Sequence, residues 1–270
     1  MRKTNNRRDF LRAILAVGAL PPLLKLRRHK LNIVQQTPSL KDKKLLTLWG
    51  GWDGHEPKAC IEMISAWAES EGANVTVSGT LDSYLDQELM QSIDLIIQVF
   101  TMSSITKEQE AGLLAAVKNG VGMAGWHGGM CDAFRQNTEY QFMTGGQWVA
   151  HPGGVIDYSV QITGHDDPVT EGIPDFKMKS EQYYMHVDPN VKVLATTTFT
   201  DEHAGWIGGC VMPVVWKKYY GNGRIFYSSL GHQLAHLEVP QALEIMKRGI
   251  RWASESKYHP KEEWKQPVYG

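Results

Sequence analysis

The chain has 270 residues, 28 Lys and Arg against 29 Asp and Glu, a formal net charge of −1 and 42% hydrophobic residues. This balance offers no basic surface of the kind nucleic-acid partners require, and the apolar content is that of a globular protein. The three cysteines, Cys60, Cys131 and Cys210, are scattered and odd in number, which excludes a disulfide framework and a thiolate zinc site.

Residues 1–40 read as an address rather than as part of the fold. Asn6-Arg7-Arg8-Asp9-Phe10-Leu11-Arg12 is a twin-arginine segment, and the apolar stretch Ala13 to Leu24 follows it. Roughly 12 apolar residues are too few to span a bilayer as a helix. The pattern predicts a twin-arginine export signal and linker, hence a periplasmic or exported protein. No A-x-A cleavage site follows, so the companion expectation is an uncleaved signal that anchors the chain. Membrane contact is expected through this segment alone. Residues 41–270 are read as a single domain.

Lys44 to Trp49 (KLLTLW) predicts a buried strand that runs into the loop GGWDGHEP, which carries Trp52, Asp53 and His55. A helix starts at Glu56-Pro57, with Ile61, Ile64, Trp67 and Ala68 on its buried face. Asn74 to Val77 and Asp94 to Phe100 (DLIIQVF) predict further strands. Continuous apolar runs suit parallel strands covered on both faces. Thr106-Lys107-Glu108-Gln109 is a capping box, and Gly120 fits the cap at the far end of that helix. Val121 to Ala124 is a fourth strand. Strand–helix alternation of this kind predicts an α/β domain with a parallel sheet, which binds ligands beyond the carboxyl ends of its strands.

The fourth strand leads into GMAGWHGGM, residues 122–130. A glycine-flanked residue directly after a strand is the pattern of a nucleophile elbow, which normally presents Ser or Cys. Here the presented residue is His127. Beyond it, Val155 to Ile162 alternates apolar and polar residues, and Val191 to Thr197 is another strand candidate. Val211 to Tyr219 and Gly223 to Ser229 flank the hairpin turn Gly221-Asn222 and end in Leu230-Gly231-His232. Pro240 to Ser254 is the last helix.

Five polar positions stand out: His127 at the elbow, His55 in the first strand-to-helix loop, His151, Glu181 and His232. Imidazoles near neutral pH exchange protons or bind metals, and a carboxylate orients an imidazole or completes a metal site. His127, Glu181 and His232 are the candidate acid–base residues. The same three are the candidate ligands if a divalent metal such as zinc is bound. Trp52, Asp53, His55, Trp126, His151 and Tyr184 are the candidate substrate contacts. Nine tryptophans and ten tyrosines suit either core packing or the stacking lining of a sugar-sized pocket. His165 and His203 read as loop residues, His236 as surface, and His29 and His259 fall in the tails. Trp216, Tyr219 and Tyr220 fit either a contact in a homo-oligomer or the core.

The stretches Thr106 to Gly120, Gly125-Trp126-His127-Gly128, Gly146 to Pro152, His165 to Pro174, Ser180 to Tyr184 and Pro213 to His232 together resemble the trehalose-utilisation (ThuA-like) family. Its fold is similar to that of class I glutamine amidotransferases. The resemblance spans about residues 44–254 and implies a three-layer α/β sandwich with a mostly parallel central sheet, flavodoxin-like. In amidotransferases the elbow holds a cysteine and a late-strand histidine activates it. His232 looks like the counterpart of that histidine, whereas His127 stands in the cysteine's place. An imidazole is a poor substitute for a thiolate in forming a thioester, so glutaminase chemistry is not expected, and Cys131 sits too far along to replace it.

The family's name implies action on sugars, including sugars already oxidised to a ketone by a partner dehydrogenase. A keto group acidifies the neighbouring C–H, so isomerisation, or elimination followed by hydration, needs no covalent nucleophile. The leading expectation is an exported enzyme of this kind acting on a small carbohydrate. The alternatives are a non-catalytic carbohydrate-binding protein on the same fold and a metal-dependent hydrolase of another small substrate.

Overall fold

The computed structural model describes residues 38–263, all of which belong to one compact unit. The twin-arginine segment and His29 lie outside the described residues. Within them, no helix is long and apolar enough to cross a membrane.

In chain order the strands are β1 (Lys44–Gly51), β2 (Asn74–Ser78), β3 (Leu95–Thr101), β4 (Gly122–Trp126), β5 (Gly146–Ala150), β6 (Val155–Ile162), β7 (Phe176–Glu181), β8 (Tyr184–Val187), β9 (Lys192–Thr198), β10 (Val211–Tyr220) and β11 (Gly223–Ser228). The helices are α1 (Pro57–Ser70), α2 (Gln87–Ser92), α3 (Lys107–Lys118), α4 (His127–Cys131), α5 (Thr138–Thr144), α6 (Leu234–Leu237) and α7 (Pro240–Ser254). Nine strands form one sheet in the order β2-β1-β3-β4-β11-β10-β9-β6-β7, and β5 pairs with β8 in a separate ladder.

The sheet has two halves. From β2 to β11 every neighbour is parallel. From β11 to β7 every neighbour is antiparallel. The parallel half has the continuous apolar strands that burial on both faces demands: all seven residues of β3 and all five of β4 are buried.

Because successive side chains of a strand point to opposite faces, each central strand feeds two cores. Leu45, Ile97, Trp126 and Phe226 join the core under α1 and α7. Leu46, Ile96, Met123, Ile225 and Trp216 join the one under α2, α3 and α5. Two faces covered by helices give the three-layer α/β sandwich of the flavodoxin and amidotransferase type.

Local chemistry sets the boundaries. The capping box at Thr106 and Gln109 is formed from both sides, and Gly120 follows α3 with φ +116. The Gly221-Asn222 turn joins β10 to β11 as a tight hairpin, with Gly221 at φ +56. Trp216 on that hairpin is core, its indole N–H donating to the Thr144 carbonyl at 3.0 Å, so core packing accounts for it. The antiparallel half is pinned by buried charges. Lys217 and Lys192 donate to the Asp167 carboxylate at 2.6 and 2.7 Å, and on the opposite face Lys218 pairs with Asp188.

A histidine cluster at the carboxyl ends of the strands

Strained backbone lies in the loop after β1 and directly after β3 and β4. Glu56, Met102 and His127 are non-glycine residues with φ of +48, +48 and +49, and they follow β1, β3 and β4. Such conformations cost of order 1–3 kcal/mol each and persist where the surroundings enforce them, most often at functional sites.

The elbow at His127 is therefore built as its glycine pattern predicts, and neighbouring glycines make room for it. A Cβ on Gly128 would lie 2.7 Å from His55 Cε1, and one on Gly129 would lie 2.7 Å from the Val99 backbone. The Tyr227 hydroxyl donates to the His127 carbonyl at 3.1 Å and holds the turn from below.

Four side chains converge there. His55, His127, Glu181 and His232 each offer one ligand-type atom, and these atoms lie within 4.8 Å of one another. All four residues are less than a tenth exposed. The imidazole centroids are 4.7 Å (His55–His127), 5.0 Å (His55–His232) and 5.3 Å (His127–His232) apart.

His127 donates Nδ1–H to the Ser229 carbonyl at 2.8 Å, and its Nε2 lies 3.0 Å from Glu181 Oε2. His55 Nδ1 is hydrogen-bonded to Thr101 Oγ1 at 2.8 Å. His232 Nδ1 lies 3.3 Å from Glu181 Oε2 but off the line of a hydrogen bond, so this buried nitrogen has no hydrogen-bond partner.

Burial, reinforced by His127 and His232, pulls the His55 imidazole down to about 3. Burial lowers His127 as well, against the hydrogen bonds from Glu181 and Ser229. Burial would raise the Glu181 carboxyl, but His127 and His232 outweigh it and hold it well below the usual range. The arrangement is a carboxylate among imidazoles that burial disfavours charging.

Around this centre the sequence-derived substrate contacts separate. Trp52 is 46% exposed, with its ring edge-on to His55 at 4.8 Å and tilted over His232 at 6.5 Å. Asp53 is exposed and begins the short 3-10 turn that carries His55. His151 Nε2 lies 3.7 Å from the outer carboxylate oxygen of Glu181, with its side chain 36% exposed.

Trp126 has to leave the set. It is 1% exposed and, as the last residue of β4, its side chain packs in the core under α7. Tyr184 is half-buried against Phe199 at 5.7 Å. Its neighbour Tyr183 is the residue that reaches the site, stacked on His127 at 4.0 Å.

Trp148 lies 5.6 Å from His151 and 6.2 Å from Tyr183, and the Arg135 guanidinium sits 4.7 Å over its ring. His236 stacks on His232 at 5.6 Å. His165, His186 and His203 are exposed. An apolar groove of about 500 Å³, lined by Tyr84, Met90, Ala115 and Lys257, contains none of the clustered histidines, so volume alone does not mark the site.

Fold and site together define an amidotransferase-like α/β protein whose elbow presents an imidazole into a histidine–carboxylate cluster. The chain belongs to the ThuA family, described as trehalose utilisation, whose family model matches residues 44–253. Among solved structures it is similar to a ThuA-like protein of Bacteroides uniformis ATCC 8492, with TM-score 0.67 and 18% identity over 79% of this chain and 91% of that one. It is also similar to a ThuA-like protein of Parabacteroides merdae ATCC 43184, with TM-score 0.65 and 21% identity over 82% of this chain and 93% of that one. At these identities the likeness establishes the fold. A comparison with curated protein sequences finds no match.

Proposed function

We propose that this protein is a carbohydrate-processing enzyme that acts next to a carbonyl carbon of an oxidised sugar, with the cluster of His55, His127, Glu181 and His232 as its reaction centre. The convergence of these four side chains within 4.8 Å carries the reading. Family membership supplies the substrate class.

The reaction begins with a C–H bond beside the ketone. His151 stands at the rim, partly exposed and 3.7 Å from Glu181, and takes the proton. The C–H electron pair moves to form the enediolate, whose oxygen lies toward the buried cluster. Return of the proton to the former carbonyl carbon, with the hydroxyl proton of the neighbouring carbon passing to the enediolate oxygen, isomerises the sugar. Departure of a glycosidic oxygen β to the carbonyl, with its bonding electrons and the proton held by His151, is elimination, and addition of water across the resulting double bond, its hydroxyl at the carbon the oxygen left, completes hydrolysis.

No covalent nucleophile is required, which suits an elbow carrying His127 in place of a cysteine. Cys131 is 1% exposed, and burial pushes its thiol up. Trp52 offers an exposed aromatic face beside the cluster, suited to the apolar face of a sugar ring. The same residue favours the second reading, a carbohydrate-binding protein without turnover. Arg7-Arg8 and the short apolar stretch after them support export by the twin-arginine route. The need for a ketone implies a dehydrogenase acting upstream.

The test is exchange in D₂O. Incubated with 3-keto-glucosides, the wild type is expected to wash deuterium into the position next to the ketone and to convert at least one member of the panel, both followed by NMR. Glu181→Gln and His127→Gln are expected to lose both. Wild-type binding of the sugars with neither exchange nor conversion would leave the binding-protein reading standing.

A further inference from the structure

The hydrogen-bond count inside the cluster does not close. A backbone carbonyl only accepts, so the contact from His127 Nδ1 to the Ser229 carbonyl at 2.8 Å places this ring's hydrogen on Nδ1. In a neutral imidazole that leaves Nε2 with a lone pair. Nε2 nevertheless faces Glu181 Oε2 at 3.0 Å, and an ionised carboxylate is also acceptor-only.

The same oxygen is approached by His232 Nδ1 at 3.3 Å without a hydrogen bond. That nitrogen is buried and has no other partner. His55 has its Nδ1 engaged by Thr101, leaving Nε2. Ligand-type nitrogens of three imidazoles and one carboxylate oxygen thus share a small, buried space. Unpaired buried polar atoms carry a desolvation penalty, and a cation drawn from all four would remove it.

We propose that this cluster binds one first-row divalent cation through His55 Nε2, His127 Nε2, His232 Nδ1 and Glu181 Oε2. Three neutral imidazoles and a carboxylate form the nitrogen–oxygen donor set that suits zinc and its neighbours rather than calcium or magnesium. The outer contacts are those such sites use. Ser229 fixes the tautomer of His127, and Thr101 orients His55. His127 Nε2 and Glu181 then hold the ion rather than a proton, and His151, outside the ligand set, keeps the proton-transfer role. The inference shares its location with the keto-sugar reading but not its test, because ion uptake is measured without any sugar.

Chelator-stripped full-length protein is titrated with Zn²⁺ alone and with Co²⁺ alone, and ion content is measured by elemental analysis after gel filtration. The wild type is expected to hold one ion per chain and to show visible Co²⁺ absorption bands of nitrogen–oxygen ligation. Its melting temperature should rise with ion concentration. His55→Gln and Glu181→Gln are expected to lose at least tenfold in affinity, while His151→Gln retains stoichiometric uptake.

Should a ligand variant fail to fold, protection of wild-type histidines by Zn²⁺ against an imidazole-modifying reagent serves in its place. The proposal is overturned if stripped wild type takes up no ion at tens of micromolar, which would make the cluster an imidazolium–carboxylate pair. It is equally overturned if uptake survives in both His55→Gln and Glu181→Gln.

Discussion

Gly128→Ala adds one carbon atom beside the cluster and touches none of its ligands chemically. Gly128 lies in α4 and is not among the positive-φ glycines, so alanine adds no backbone strain there. The new Cβ would lie 2.7 Å from His55 Cε1, 2.9 Å from Thr101 Cγ2 and 3.1 Å from His55 Nδ1. Non-bonded carbons settle at about 3.5–4.0 Å, so the His55 ring and its threonine must retreat by about 1 Å. Overpacking of this kind costs about 1–3 kcal/mol, which for a domain of this size lowers the melting temperature by roughly 2–12 °C. The larger effect falls on the site. Displacing His55 and its oriented partner should weaken Zn²⁺ binding by about 10–100-fold, the usual effect of disturbing the contacts behind a ligand.

The assay is Zn²⁺ titration calorimetry beside a thermal melt, with Gly205→Ala as the control, since nothing lies within 4 Å of a Cβ there. A Gly128→Ala protein that melts and binds like the wild type would refute the reasoning, because His55 would then be free to move without consequence.

Thr101→Val keeps the shape but deletes the hydroxyl held by His55 Nδ1. It should reduce ion affinity about 10-fold, read by the same titration, and the stranded His55 nitrogen should cost about 1–3 kcal/mol of stability in the ion-free protein. Asp167→Asn strands the fully buried Lys217 ammonium, and chemical denaturation should show a loss of about 3–5 kcal/mol, largely recovered in Asp167→Asn/Lys217→Met. Burial alone would raise the Asp167 carboxyl, but Lys217 and Lys192 hold it below its usual value. Its stabilisation is therefore present above about pH 4 and lost as the pH falls through the lower folded value, and acid denaturation of the double variant should lack that component. Trp52→Ala should abolish quenching of intrinsic fluorescence by sugars while leaving Zn²⁺ uptake unchanged. Retained quenching would move the stacking face elsewhere.

The parallel half of the fold was legible because its strands are short, continuous apolar runs punctuated by glycine and caps. β3, β4 and the Thr106 capping box needed nothing beyond local chemistry. Convergence of His55, His127 and His232 followed from the rule that such sheets bind ligands at the carboxyl ends of strands.

Adjacency in sequence was a poor guide to adjacency in space. Trp126 precedes the elbow yet points into the opposite core, and Tyr183 rather than Tyr184 reaches His127. Both cases are one-residue shifts at a strand boundary, and composition does not set which neighbour faces the site. β5, β7 and β8 carry mixed burial and lie in the antiparallel half or its satellite ladder, where pairing across long loops decides the structure. Thr101 had no signal of its own. It became a partner of His55 only when β1 and β3 were paired in register.

The order in which the strands sit beside one another also governs when the centre comes into being. His55 and His127 emerge from the parallel half, Glu181 arrives on β7 at the far edge, and His232 follows β11, the last strand in the chain although it lies in the middle of the sheet. β4 has no neighbour on that side until β11 is inserted. A growing chain therefore carries an incomplete binding site until residue 232 has been made, and the four donors meet only when the final strand closes the seam. Ion capture would thus report that the last strand has taken its place in the middle of the sheet.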